Sequence, residues 1–261
     1  MDRTTLNAYG DELYTALRSR VTVRPLSERE PEITISDAYH VSRRLLERRL
    51  ADGEQVIGKK IGVTSLAVQR MLDVHQPDFG YLTDRMLYRD GAVMPISREL
   101  IQPRAEGEIA FLLNRGLAGP GVTIDDVLDA TECVFPCLEV VDSRIADWKI
   151  RITDTIADNA SSGLFLLGAG HELPRSVDVA SLEIEVEKNG RLISRGEGSA
   201  ALGSPAYCVA WLANTLSGFE IPLLAGEIVL SGSLVPLEPV VAGDRMRVTL
   251  SGVGSASVDF V

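Results

Sequence analysis

The stretch RAEGEIAFLL, residues 104–113, sets Glu106 and Glu108 directly against an apolar run from Ile109 to Leu113. Residues two apart in a strand point to the same face, so this spacing predicts a strand with one acidic face, and Gly107 between the glutamates lets another element approach the backbone closely. A solvated strand end carries the same pattern. A second segment, CVFPCLEVVD at 133–142, shifts the balance: Glu139 interrupts another apolar run, and a carboxylate buried without a partner is costly. It requires a cation. Three carboxylates with no histidine close by in sequence point to a hard divalent ion, because oxygen ligands suit magnesium, manganese or calcium while zinc prefers nitrogen and sulfur. The expectation is an open magnesium or manganese site.

The chain around these segments has 261 residues, enough for one large domain or for a small domain beside a larger one. Its 45% hydrophobic and 24% charged residues are those of an ordinary globular protein. A formal net charge of −11 argues against nucleic acid and anionic membrane as partners. The opening MDRTTLNAYGDEL has neither the apolar core of a signal peptide nor the composition of a transit peptide, and no later segment approaches a membrane span, so a cytoplasmic location is expected. Cys133, Cys137 and Cys208 form no CxxC pair and read as buried thiols. His40, His75 and His171 lie far apart, and no GxSxG elbow supports a serine nucleophile.

Residues 1–55 read as a helical N-terminal portion. Leu6, Tyr9, Leu13 and Leu17 stand at helical spacing, and a second helix is expected from a Ser36 cap to Gly53. From Val56 onward, residues 56–261 change to short strands punctuated by glycine, with Asn189-Gly190 as a hairpin turn and SPAYCVAWLANTL as a helix capped at Ser204 with Pro205 in its first turn. Regular strand-helix alternation is lacking. The expected class is α+β, with a mixed, largely antiparallel β core and helices packed outside.

Other segments carry candidate chemistry. GKKIGVTS at 58–65 puts Lys59 and Lys60 on opposite faces of a strand, one of them inward, although either lysine alone reads as a surface residue. Thr64 caps a following helix whose N-terminus would face an anion. HQPDFGYLTD at 75–84 is a turn-rich stretch with Asp78 beside Phe79 and Tyr81: its pattern alone favours a turn in which Asp78 hydrogen-bonds nearby amides, and the alternative is a loop able to close over a small substrate. In DNASSGLFLLG at 158–168, Asn159, Ser161 and Ser162 either hold a carboxylate or cap the loop. LSGSLVPLEP is a Gly/Ser turn with the same ambiguity.

Taken in order, GKKIGVTS, HQPDFGYLTD, LIQPRAEGEIAF, EVVDSRI, ADNASSGLF, ALGSP and LSGSLVPLEP resemble the 2-hydroxypenta-2,4-dienoate hydratases (2-oxopent-4-enoate hydratases) of aromatic meta-cleavage pathways, members of the fumarylacetoacetate hydrolase superfamily. The resemblance runs almost from end to end. It implies a mixed β-roll of that superfamily's type, Glu106, Glu108 and Glu139 as ligands of Mg2+ or Mn2+, Lys60 and Asp78 in acid-base roles, and Ser161 in contact with substrate. Arg104 joins Lys60 in setting a local field that accepts an anionic substrate. Lys59 is the variable member of the lysine pair. The implied reaction converts 2-hydroxypenta-2,4-dienoate into 4-hydroxy-2-oxopentanoate. The resemblance also implies a homo-oligomer associated with the decarboxylase that makes the substrate. Two rivals follow: a 4-oxalocrotonate decarboxylase or hydratase of a longer dienoate, and a catalytically silent partner subunit. Phe79, Tyr81 and Leu82 are expected to hold a short uncharged substrate tail, which favours the five-carbon monoacid, with Arg85 as the one cation that would alter this if it turned inward.

Overall fold

The computed structural model describes residues 1–65, 69–70, 74–172 and 177–261. Helix α1 (Arg3–Ser19) starts at Asp2, whose carboxylate accepts from Thr5 N at 3.0 Å, and it buries Leu6, Leu13 and Ala16. Helix α2 (Ile35–Ala51) starts two residues earlier than a Ser36 cap implies. Thr34 is the cap: its side chain accepts from Asp37 N while the Asp37 carboxylate accepts from Thr34 N, a reciprocal pair that Ser36 has no partner to form. The apolar faces of both helices meet Ile145, Ile156 and Ala157, so the N-terminal portion shares its core with α3 (Ile152–Ala157).

Two sheets form the rest. The larger runs in the order β2 (Asp78–Thr83), β1 (Val56–Gly62), β10 (Ile228–Leu230), β5 (Arg104–Leu113), β6 (Thr131–Val141), β7 (Leu164–Leu167) and β3 (Leu87–Arg89), with β11 (Glu238–Pro239) also on β5. The smaller runs β4 (Ala92–Met94), β13 (Gly254–Phe260), β12 (Arg245–Leu250), β8 (Glu183–Lys188) and β9 (Arg191–Glu197). Among the described pairs, β1/β10, β3/β7 and β4/β13 are parallel and the others antiparallel. This is the mixed β-roll expected from the sequence. Asn189 and Gly190 turn β8 into β9 with φ of 54° and 75°, the left-handed values a two-residue hairpin needs. Ser204 and Pro205 open α4 (Pro205–Ser217).

Strand β5 has two different faces. Ile109 and Phe111 face the second sheet, where they pack with Ile184, Val186, Val248 and Val258. The opposite face carries Glu106 and Glu108 and then Ala110, which joins Phe135, Cys137, Phe165 and Leu230 in a separate apolar cluster. Gly107 lies on the first face. A Cβ there would stand 2.9 Å from both Ile184 Cδ1 and Val186 Cγ2, so the glycine admits β8 against the strand that carries the carboxylates. The helix expected after Thr64 crosses residues 66–68 and 71–73, outside the described residues. Gly107→Val should lower the unfolding free energy by about 1–3 kcal/mol, the usual scale of overpacking, measured by urea denaturation; an unchanged midpoint would mean that the sheets separate freely here.

Candidate metal centre and active site

The register of β5 on β6 decides the site. Glu106 stands directly opposite Glu139, and Glu108 stands opposite Cys137. Directly opposed side chains share a face, so all three carboxylates converge, and one oxygen from each lies within 4.8 Å of the others. Glu106, Glu108 and Glu139 are 8%, 0% and 1% exposed. Like charges facing each other across a ladder repel, and burial strengthens the repulsion. Glu108 Oε2 accepts from Gly232 N at 2.9 Å. Glu108 Oε1 and both oxygens of Glu139 have no hydrogen-bond donor among the described residues. Burial first, and Glu139 second, push the Glu106 carboxyl up to about 7. Glu108 is pushed up further by burial, Glu139 and Glu106, and Glu139 is raised by burial against the pull of Lys60. An oxygen-only donor set with orphaned, mutually repelling atoms fits a hard divalent cation. The grouped ligands include no histidine or cysteine.

Lys60 reaches this cluster from β1. Its ammonium lies 3.2 Å from Glu139 Oε1 and donates to the Ala160 carbonyl at 3.1 Å. Burial alone would favour the neutral amine. Glu139, then Glu106, Asp78 and Glu108, outweigh it and hold the pKa above the ordinary lysine range. Asp78 sits on β2 opposite Gly62 of β1, and its carboxyl is raised by burial against the opposing effect of Lys60. Asp78 Oδ2 accepts from Thr155 Oγ at 3.1 Å, while Oδ1 has no donor among the described residues. Gly62 lets the Asp78 carboxylate come close to β1: a Cβ there would clash with Asp78 Oδ1 at 2.2 Å and stand 3.4 Å from Lys60 Nζ.

These groups border a cavity of about 490 Å3 whose wall includes Lys60, Gly62, Asp78, Arg104, Glu106 and Ser161. Arg104 precedes Glu106 by two residues on the same face of β5. Its guanidinium stacks over the Trp148 ring, 4.7 Å from the centroid, and takes part in no ion pair among the described residues. Apolar side chains, Val141, Leu234 and Leu237 among them, complete the wall.

Every candidate site residue read from the sequence lies at this cavity or directly beneath it, but several neighbouring expectations change. Lys59 is not a surface lysine: it is 2% exposed and donates to both oxygens of Glu227 at 2.6 Å, on the face away from Lys60. The segment read as a turn or, alternatively, a lid is β2, an ordered strand, and beyond Asp78 none of its side chains lines the cavity. Phe79 is a core residue, stacked on Tyr39 at 4.4 Å, and Leu82 is buried in the apolar cluster around Phe165. Pairing with β1 turns Phe79 to the face opposite Asp78, while Leu82 shares the face of Asp78 but lies four residues along the strand, within that apolar cluster. Arg85 points outward and donates to the Asp52 carbonyl at 3.1 Å. Of the three polar residues at 159–162, only Ser161 borders the cavity; Asn159 bonds the backbone of Tyr81, and Ser162 bonds the Asn159 carbonyl. The Gly/Ser turn LSGSLVPLEP does hold a carboxylate, that of Glu108 through the Gly232 amide, while Thr155 and Trp148 were not legible as site groups, since neither lies within an acidic or basic motif.

Residues 58–261 match the model of the fumarylacetoacetate (FAA) hydrolase C-terminal domain, and the chain belongs to that family. It is 66% identical over 221 residues to a 2-hydroxypent-2,4-dienoate hydratase of Pseudomonas putida, covering 85% of this chain and all of that protein. It is 56% identical over 260 residues to a 2-hydroxyhexa-2,4-dienoate hydratase of Comamonas testosteroni, covering 99% of this chain and 98% of that one. A solved 4-oxalocrotonate decarboxylase from Pseudomonas putida G7, complexed with magnesium and adipate, superposes with a TM-score of 0.96 at 34% identity, covering 100% of this chain and 99% of that one.

Glu108→Gln should weaken Mn2+ binding by at least about 10-fold, read by electron paramagnetic resonance titration, because it removes ligand charge while nearly preserving shape. The same variant, free of metal, should melt no lower than the parent, since it removes one of three repelling groups. Undiminished Mn2+ affinity would show that the carboxylates do not hold the ion.

Proposed function

We propose that this chain is a divalent-metal-dependent hydratase that adds water to 2-hydroxypenta-2,4-dienoate to give 4-hydroxy-2-oxopentanoate, with Mg2+ or Mn2+ held by Glu106, Glu108 and Glu139. The observation that carries the reading is the convergence of three buried carboxylates, Glu106 at the cavity wall with Glu108 and Glu139 beneath it, beside a Lys60–Asp78 pair that also lines the cavity. When bound, the ion supplies Lewis-acid stabilisation of negative charge developing on the substrate's 2-oxygen. The chain's own groups handle the protons. Lys60 and Asp78 face the same space from neighbouring strands, a donor beside an acceptor. Together they move a proton to carbon as the dienol becomes the conjugated ketone, then take a proton from the water that attacks C4 while carbon 3 is protonated. Asp78 Oδ1, which has no hydrogen-bond donor among the described residues, is free to accept from that water. Ser161 contacts the substrate, and Arg104 offsets its negative charge.

The identities of 66% and 56% to dienoate hydratases support this substrate class. A second reading, decarboxylation of 4-oxalocrotonate, draws on one specific feature: Arg104 is a half-buried cation without a carboxylate partner among the described residues, the kind of group a second substrate carboxylate requires. The intact carboxylate and lysine set argues against a silent subunit. Homo-oligomer formation and association with the decarboxylase that supplies the substrate complete the proposal on the strength of the sequence resemblance, a cytoplasmic location on the absence of signal, transit or membrane-spanning patterns in the sequence, and a division at residue 55 into helical and catalytic portions on the change of sequence pattern at Val56. Among the described residues no helix is long and apolar enough to cross a membrane.

Chelator-treated protein should lose hydration of enzymically generated 2-hydroxypenta-2,4-dienoate and regain it with Mg2+ or Mn2+; full activity without metal would sink the reading. One metal-loaded preparation should hydrate the monoacid much faster than it releases carbon dioxide from 4-oxalocrotonate. Dominant decarboxylation would transfer the assignment to the second reading. Lys60→Ala should lower kcat roughly 100-fold or more. Lys59→Ala acts elsewhere: it leaves Glu227 buried without its cation, and it should lower the melting temperature rather than kcat.

A further inference from the structure

Three consecutive non-glycine residues, Asn159, Ala160 and Ser161, have φ of 55°, 51° and 51°. Side chains rarely adopt this left-handed region, because Cβ crowds the carbonyl, and a run of three persists only where surrounding contacts impose it. The run delivers two groups to the cavity: the Ala160 carbonyl that accepts from Lys60 Nζ, and the Ser161 side chain, whose Oγ lies 3.4 Å from Thr155 Oγ.

One side chain grips both ends of the run. Arg144, 1% exposed and absent from the cavity wall, donates through Nη2 to the Asp158 carbonyl, the residue before the run, and through Nη1 to the Ser162 carbonyl at 2.8 Å, the residue after it. Its Nε bonds Asp158 Oδ1 at 2.5 Å, its backbone N donates to Asp158 Oδ2 at 2.8 Å, and Nη1 also reaches the Asp142 carbonyl at 2.5 Å. From the outside, Asp142 N donates to the Ser161 carbonyl at 2.8 Å, and Asn159 clasps the Tyr81 backbone through Oδ1 at 2.8 Å and Nδ2 at 2.9 Å. The planar five-donor fork of an arginine suits this task; a lysine ammonium cannot span both carbonyls and the carboxylate in one plane.

We propose that Arg144, locked by Asp158, is a positioning residue: it staples the left-handed turn 159–161 and thereby holds the Ala160 carbonyl and Ser161 where they aim the Lys60 ammonium and the substrate. The catalytic consequence rests on the reading of Lys60 given above, whereas the staple itself does not. Arg144→Lys should lower kcat at least tenfold, with Mn2+ affinity within about twofold of the parent, because the three carboxylates are left in place. Adding Ala160→Gly to that variant should raise kcat at least threefold, since glycine takes the left-handed conformation without steric cost and needs no staple. A crystal structure of Arg144→Lys should show residues 159–161 departing from their positive φ.

Undiminished kcat in Arg144→Lys, losses of kcat and metal affinity that simply follow the melting temperature, or no response to Ala160→Gly would overturn the proposal. Should Arg144→Lys fail to fold, Asp158→Asn, which keeps shape and acceptor oxygen but removes the charge, is put through the same comparisons, and the same results support or overturn the staple. Turnover by the unaltered protein tests the functional reading separately, and the φ values at 159–161 test the staple whatever substrate the site accepts.

Discussion

Two glutamates directly opposite each other across an antiparallel ladder are a liability for a folded chain, and a third two residues away compounds it. The β5/β6 register places Glu106 against Glu139 and brings Glu108 onto the same face. Everything around these groups answers that constraint. Gly232 offers a backbone amide, Lys60 an ammonium in ion-pair contact with Glu139 Oε1, and four carboxylate oxygens of Asp78, Glu108 and Glu139 form no hydrogen bond among the described residues. The fold has spent stability on a place for a cation, as functional sites commonly do.

The scaffold that tolerates this charge is itself rich in buried, fully paired ions. Lys59 is neutralised by Glu227, Arg144 by Asp158, and Arg49 by Glu54, with Thr83 bridging that last pair. Such pairs add little net stability over an apolar replacement, but breaking one leaves an uncompensated charge, so each holds its strands in one arrangement. Their placement is informative. Lys59 and Glu227 tie β1 to the segment entering β10, and Arg144 ties the end of β6 to the turn before β7. The carboxylate cluster therefore rests on strands that cannot easily slide.

Within the family, one scaffold serves more than one reaction on related dienoates, as the hydratase relatives and the superposable decarboxylase illustrate. In this chain Glu106, Lys60 and Asp78 line the cavity together with Arg104, which stacks on Trp148 two residues from Glu106 on the same strand.

Much of this was legible in the chain alone. The E-x-E pattern and Glu139 in an apolar run marked the carboxylates, because period two in a strand is a property of local backbone geometry. The N-terminal helices, the Asn189-Gly190 turn and the strand succession are local as well. Choosing Lys60 over Lys59 rested on the resemblance, since both sit on one strand and both are buried; only the partners across the sheet distinguish Glu227 from Glu139. The lid reading of 75–84 failed for the same reason: Phe79 and Leu82 look equally suited to a substrate or to a core until β1 pairs with β2 and turns them inward. Arg144, Thr155 and the Gly232 amide act on groups as many as 124 positions away. Sequence determines which side chains share a face of their own strand or helix, because that depends on neighbouring dihedrals. Which faces meet, and so which charge finds which partner, is decided only when the strands settle into register.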